Sequence, residues 1–267
     1  LVTGSDIYAF RTVQTMLAAT AYEAIREFVF AVIPLFLLMG EFISKSGTVT
    51  DVYRGLNRLL RRLPGRLGIA TVLGNALFSF VTGVSIASAA TFSRIAYPEM
   101  RRFGYHPGFA LGTVAGSSCL GMLIPPSVLM IVWGILTEQS IGQLFAGGVL
   151  PGLMLTSMFI LYVFTMALVK PSVVGAGVVP NPSATPVDED VPEVSTTQFL
   201  ISLFGIVAVI VAVLGGIWFG IFSPTEGAGA GAFIGLVLAL IKGMKFKDFI
   251  DAILSVGKTS APILLLL

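Results

Sequence analysis

Two clusters of small and hydroxyl-bearing residues hold most of the chemistry this sequence offers. The first is Thr82-Gly83-Val84-Ser85-Ile86-Ala87-Ser88-Ala89-Ala90, and the second is Gly121-Met122-Leu123-Ile124-Pro125-Pro126-Ser127, led in by Ser117 and Ser118. Neither contains a charge. Hydroxyls and exposed carbonyls are hard oxygen donors, which is what sodium takes when no carboxylate is at hand. Pro125 and Pro126 remove two backbone donors and free carbonyls one turn earlier. A helix broken there can turn freed carbonyls and end dipoles toward an ion or solute. Ser85, Ser88, Ser117 and Ser118 are therefore candidate sodium ligands. The same residues also suit a packing kink and small-residue helix contacts, and both readings stay open at this point. Asn75 could join the site or make a helix-to-helix hydrogen bond. Glu41, an acid within a span, is either functional or snorkels to the nearby interface. Ser223-Pro224-Thr225-Glu226 reads as a capping box, so Thr225 and Glu226 have a structural role available. With one histidine (His106) and one cysteine (Cys119), the chain has no disulfide framework and no Cys-based metal site.

The elements that must hold these clusters follow from the charges. Of 267 residues only 11% are charged, 16 Lys+Arg and 14 Asp+Glu, against about 25% in soluble domains. None falls in 67–93, 107–137, 139–169 or 194–225. Each stretch exceeds the roughly 20 residues that cross a bilayer core. Soluble enzymes, nucleic-acid binders and disordered chains are excluded, and the chain is an all-α polytopic membrane protein. The paired groups an intramembrane enzyme needs at depth are missing too.

Segment by segment, 1–27 is interfacial or outer, and it lacks a Met or a signal-like start, so the N-terminus is expected to be incomplete. Residues 28–46 form a span. In 51–63, Val52, Leu56, Leu59, Leu60 and Leu63 share one face and arginines line the other, as in an interfacial helix whose Arg stems reach headgroups. Five arginines between 54 and 66 place this loop in the cytoplasm. Arg94, Arg101 and Arg102 follow 67–93 directly, so a single crossing would strand them outside. A re-entrant hairpin with its tip near Gly83–Ser88 keeps both basic flanks inside. Then 108–136 is a broken span and 141–169 returns to Lys170. Residues 171–197, with five prolines and four acids, form a cytoplasmic linker. Residues 198–222 and 224–241 are two more spans, with Gly227, Gly231 and Gly235 forming a close-packing face. A second interfacial stretch (Phe246, Phe249, Ile250, Ile253) precedes a last apolar run. Trp133 and Trp218 are expected interfacial anchors.

With these motifs in order, the chain resembles the large membrane subunit of tripartite ATP-independent periplasmic (TRAP) transporters. The resemblance rests on Ile33-Pro34-Leu35-Phe36-Leu37-Leu38-Met39-Gly40-Glu41, Phe78 to Ser85, Pro98-Glu99-Met100, Gly121 to Ser127 and Gly220 to Glu226. It implies an inverted-repeat, elevator-type importer in the bacterial inner membrane that couples Na+ to uptake of an organic anion, usually a carboxylate. A small membrane subunit and a periplasmic binding protein are implied partners. Carried over by position, Ser85, Ser88, Ser117, Ser118 and Gly121 would form a sodium site. Gly83, Val84, Pro125, Pro126 and Ser127 would border the substrate. Val84 stands where many members have Ser, and Ser88 where they often have Asp or Thr. Residues 28–170 would be the first repeat and 198–267 a truncated start of the second. A carboxylate carrier working without a binding protein is the nearest alternative; an intramembrane enzyme or passive channel stands further off.

Overall fold

The computed structural model describes residues 11–19, 28–175 and 195–266. Most of the outer segment 1–27 and of the linker 171–197 lies outside the described residues. What is described is helical, with one isolated bridge, Tyr105 to Val174. After an exposed helix over 11–19 come α1 (Val32–Lys45), α2 (Thr48–Leu59), α3 (Arg66–Thr82), α4 (Ser85–Arg102) and α5 (Pro107–Ser118). Next are the short α6 (Leu120–Leu123), α7 (Val128–Leu136), α8 (Ile141–Val169), α9 (Thr196–Ile210), α10 (Pro224–Ile241) and α11 (Phe246–Leu266). Four helical segments among the described residues are long and apolar enough to cross a membrane: Pro107–Leu136, Ile141–Val169, Thr196–Trp218 and Pro224–Ile241.

α1 and α2 meet at a 60° bend. Gly47 makes that corner at φ 76°, a left-handed conformation that suits glycine. The interfacial helix thus starts three residues before the expected 51, and Leu60–Leu63 continue as turns. Val52 and Leu56 are buried as expected; Leu59 and Leu63 stay exposed.

α3 and α4 form the expected hairpin, with its turn confined to Gly83–Val84 and its second arm running to Arg102. The two bases of the hairpin meet. Arg66 lies over the Phe103 ring at 4.9 Å, worth about 1 kcal/mol when partly exposed. Gly65 abuts Ala167 near the end of α8, and His106 N–H donates to Val173 O at 2.9 Å just past it. Both ends of the hairpin therefore meet at one end of α8. Phe78 and Phe92 join the arms at 6.1 Å, and Tyr53 of α2 meets Phe92 edge-on at 6.2 Å.

Two features depart from the periodicity reading. The span from 198 contains a π-helical turn over Val211–Gly215 and ends at Trp218. The second interfacial stretch and the last apolar run form one continuous helix, α11, with Pro262 inside it.

α1 is held between the hairpin and α10. Met39 fills the notch left by Gly231 and Gly235, Gly40 lies against the Val81–Thr82 backbone, and Ser255 of α11 donates to Glu41 at 2.7 Å. Three consecutive residues thus serve three partners.

α2 is fastened to the later helices by a part-buried cluster: Lys242 pairs with Asp51, Ser202 Oγ donates to Asp51 Oδ2 at 3.0 Å, and Lys242 Nζ donates to Ser202 Oγ at 2.6 Å. Removing one partner strands the other charge. Asp51→Ala should destabilise by about 1–3 kcal/mol, below the fully buried case because both side chains keep some solvent contact. Asp51→Leu combined with Lys242→Met should recover part of that. Thermal unfolding of the purified permease checks both, and equal melting temperatures for wild type and Asp51→Ala would refute the role.

Candidate functional site

The hairpin turn closes directly onto the double-proline break. Gly83, at φ 62°, sits so close to Pro126 that a Cβ would overlap the Pro126 carbonyl oxygen. On the other side, a Cβ on Gly121 would lie 3.0 Å from the Val84 carbonyl carbon and 3.1 Å from Ser85 N. Val128 N–H donates to Gly83 O at 3.2 Å, so one backbone bond joins the clusters. The Pro125–Pro126 peptide is cis. Ser127 is buried and donates to Met122 O at 2.6 Å, meeting a carbonyl that the prolines leave without a helical donor.

Four helix ends meet here: the C-termini of α3 and α6 and the N-termini of α4 and α7. C-terminal carbonyls favour a cation and N-terminal amides an anion. The broken helix seats on α8 at Gly148 and Gly152, which face Leu123 O and Ile124. Sequence reading missed those two glycines, although their i, i+4 spacing was the available signal. Earlier in α5, a Cβ added at Gly116 would lie 3.3 Å from the Phe159 ring, whereas one at Gly112 would meet nothing within 4 Å.

Asn75 and Ser117 come together across the hairpin and α5. Asn75 Nδ2 donates to Ser117 Oγ at 2.6 Å, and Ser117 Oγ donates onward to Thr113 O at 2.6 Å. Ser117 has one proton, committed to Thr113, so toward Asn75 it can only accept. The amide is thereby oriented, and Asn75 Oδ1 is left buried with no hydrogen-bond partner. A buried carbonyl-type oxygen without a donor costs about 1–3 kcal/mol. It is also a ready cation ligand. Ser88 is fully buried 3.5 Å from Thr82 Oγ1. Ser118 turns back to Val114 O at 2.6 Å, leaving its lone pairs open, and Ser85 sits half-buried at the first position of α4.

A cleft of about 680 Å³ lies beside the turn, between α1, α4 and α11. Thr82, Val84, Ala87, Ala90, Thr91 and Arg94 line one wall, and Glu41 and Lys45 line another. Ala87, Ala90, Thr91 and Arg94 share one helical face, small near the turn and cationic about 10 Å further along, at 1.5 Å per residue. The sequence reading used Arg94 for topology and missed it as a cleft residue; the 87/90/91/94 spacing was its signal. Glu41 therefore belongs to this cleft. Thr225 and Glu226 do not. Ser223 and Glu226 form the reciprocal cap, with Ser223 N–H to Glu226 Oε2 at 2.8 Å and Glu226 N–H to Ser223 Oγ at 3.3 Å. They stand nine residues, about 13 Å, along α10 from Gly235, the level at which α1 meets the turn. His106 caps α5 at its start, and Cys119 is exposed. Among the described residues no His, Cys, Asp and Glu cluster could hold a metal ion.

A family model described as "Tripartite ATP-independent periplasmic transporter, DctM component" matches residues 1–267. The chain is 33% identical over 248 residues to the C4-dicarboxylate TRAP transporter large permease protein DctM of Pseudomonas aeruginosa, covering 91% of this chain and 54% of that protein. It is 29% identical to the ectoine TRAP transporter large permease protein TeaC of Halomonas elongata (88% and 52% covered). It is 28% identical to the sialic acid TRAP transporter large permease protein SiaM of Vibrio cholerae (91% and 54%). The chain spans about half the length of the curated relatives it matches. The family-model match across residues 1–267, with these relatives covered over some nine-tenths of the chain, places it in the DctM family of TRAP transporter permease subunits, which are inner-membrane proteins and not enzymes.

Proposed function

We propose that the complete permease is the membrane component of a sodium-coupled importer of organic anions, carboxylates foremost. The observation that carries this reading is the meeting of four helix ends at the Gly83–Pro126 contact; Asn75 Oδ1, buried and unpaired, lies eight residues, about 12 Å, back along α3 from that turn. Asn75, Thr82, Ser88, Ser118 and the carbonyls before the break suit sodium, since each offers oxygen and none is charged. Ser85, Val84 and Ser127 border the amide ends of α4 and α7, which suit an anion. Arg94 supplies the adjoining cleft with a cation on the α4 wall, opposite Glu41 and Lys45. Relatives named for C4-dicarboxylates and sialic acid support a carboxylate, and one named for ectoine widens the class. A periplasmic binding protein and a small membrane subunit are the proposed partners, as in a tripartite system. Transport would proceed by an elevator-type displacement of the hairpin and broken helix past α1, where Gly40 makes a smooth contact.

Uptake of a labelled carboxylate into proteoliposomes, with the complete permease, its small subunit and its binding protein, tests this. Uptake should follow an inward sodium gradient and collapse when the gradient is dissipated. Equal flux without a gradient would point to a passive channel and refute coupling. Uptake that needs sodium but no binding protein would favour a carrier acting alone.

A further inference from the structure

A second cavity, far in sequence from both clusters, lies where α2 meets the start of α9. It measures about 480 Å³ and is lined by Gly55, Arg58, Leu59, Arg61, Arg62, Thr196 and Phe199. Its floor is built by close approach: the Phe199 ring lies on Gly55, and any side chain there would collide with it. One rim carries three guanidiniums. The first turn of the 15-residue α9 contributes Thr196 and Phe199 to the lining, and Ser195 and Gln198 form a reciprocal cap there, with Ser195 N–H donating to Gln198 Oε1 at 3.3 Å. Among the described residues Asp51, the acid of α2, is engaged by Lys242 and leaves these arginines their charge.

We infer that this cavity binds the phosphate headgroup of an anionic phospholipid. Guanidiniums and a helix N-terminus are what a phosphate takes, bidentate from arginine and by dipole from the helix. Two apolar residues separate a lipid from free phosphate. Leu59 is 70% exposed beside Arg58, and Phe199 forms the adjoining wall. A soluble ion gains nothing from them, whereas an acyl chain covers both. The location agrees, since α2 is amphipathic and its arginine-rich end lies on the side of the basic loops. The arginines therefore hold a lipid in a formed pocket, beyond reaching headgroups in general, and tie α2 to α9 at the membrane surface. The acidic residues Asp188, Glu189, Asp190 and Glu193, a few residues before α9, are the rival occupant.

Native mass spectrometry of the complete permease, titrated with phosphatidylglycerol and phosphatidylcholine in detergent, tests the assignment. Wild type should retain phosphatidylglycerol over phosphatidylcholine at one saturable site. Arg58→Gln should weaken it roughly fivefold and the triple Arg58→Gln/Arg61→Gln/Arg62→Gln on the order of a hundredfold, at about 1 kcal/mol per basic residue. Leu59→Ser, which leaves every charge in place, should also weaken lipid binding. Arg102→Gln, an exposed arginine elsewhere on the same side, should leave it unchanged. Unchanged binding in the triple variant would overturn the proposal, as would displacement of lipid by millimolar inorganic phosphate. Tighter lipid binding after neutralising the four linker acids, lost again in the triple arginine variant, would support the proposal, since a competitor's removal strengthens only a ligand of the same pocket. The outcome is independent of sodium-coupled uptake, because no residue of the Gly83–Pro126 site is changed.

Discussion

Gly83→Ala should abolish uptake and lower the melting temperature of the purified permease. Two costs combine. The residue holds φ 62°, which costs a non-glycine residue about 1–2 kcal/mol. The added methyl would also run into the Pro126 carbonyl, a backbone atom with no rotamer to escape by. Overpacking of this kind costs about 1–3 kcal/mol, for a total of about 2–5 kcal/mol. Relief requires the turn to lift from the break, which stretches the Val128 N–H to Gly83 O bond and separates the four helix ends. Gly47→Ala is the matched control: φ is 76° but nothing lies within 4 Å, so only the cost of about 1–2 kcal/mol applies and uptake should persist. A Gly83→Ala permease with normal melting and normal uptake would show that the contact has no role.

Asn75→Leu should separate binding from stability. The side chain keeps similar bulk and loses the buried unpaired oxygen, while Ser117 keeps its proton on Thr113 O. Relief of the unsatisfied acceptor, about 1–3 kcal/mol, offsets loss of the Asn75–Ser117 hydrogen bond, about 0.5–1.5 kcal/mol, so the melting temperature should stay close to that of wild type. If Oδ1 serves sodium, the sodium concentration for half-maximal uptake should rise about tenfold, equivalent to 1.4 kcal/mol. A structural asparagine would give the reverse, with lowered melting and unchanged sodium dependence. Sodium titration of uptake, run beside thermal unfolding, distinguishes the two.

Much of this architecture was legible because lipid is an unforgiving solvent. The expectation that 67–93 turns back came from Arg94, Arg101 and Arg102 directly after it, and the chain does turn at Gly83–Val84, with Arg66 over the Phe103 ring at the base of the two arms. The capping box at Ser223 was equally readable, because a cap is a contact between residues three apart. The π turn at Val211–Gly215 left no mark on the hydropathy pattern. The continuous α11 was hidden by its change from amphipathic to apolar. Of the candidate site, the residue types were visible and their partners were not. Asn75 and Ser117 were each noted, but their bond spans 42 positions.

The sequence by itself determined the membrane class, the presence of a hairpin and a broken helix, and an interior that offers a cation mainly hydroxyls and carbonyls. Those conclusions follow from local composition and from where charge is absent, which hydrophobic solvation alone enforces. Only the tertiary structure decided that Gly83 and Gly121 seat the turn on the break, which oxygen of the Asn75–Ser117 pair stays free, and that α2 and α9 enclose an arginine-lined pocket. Close backbone approach and hydrogen-bond pairing join residues distant in the chain, and no local periodicity records which of many compatible partners will meet.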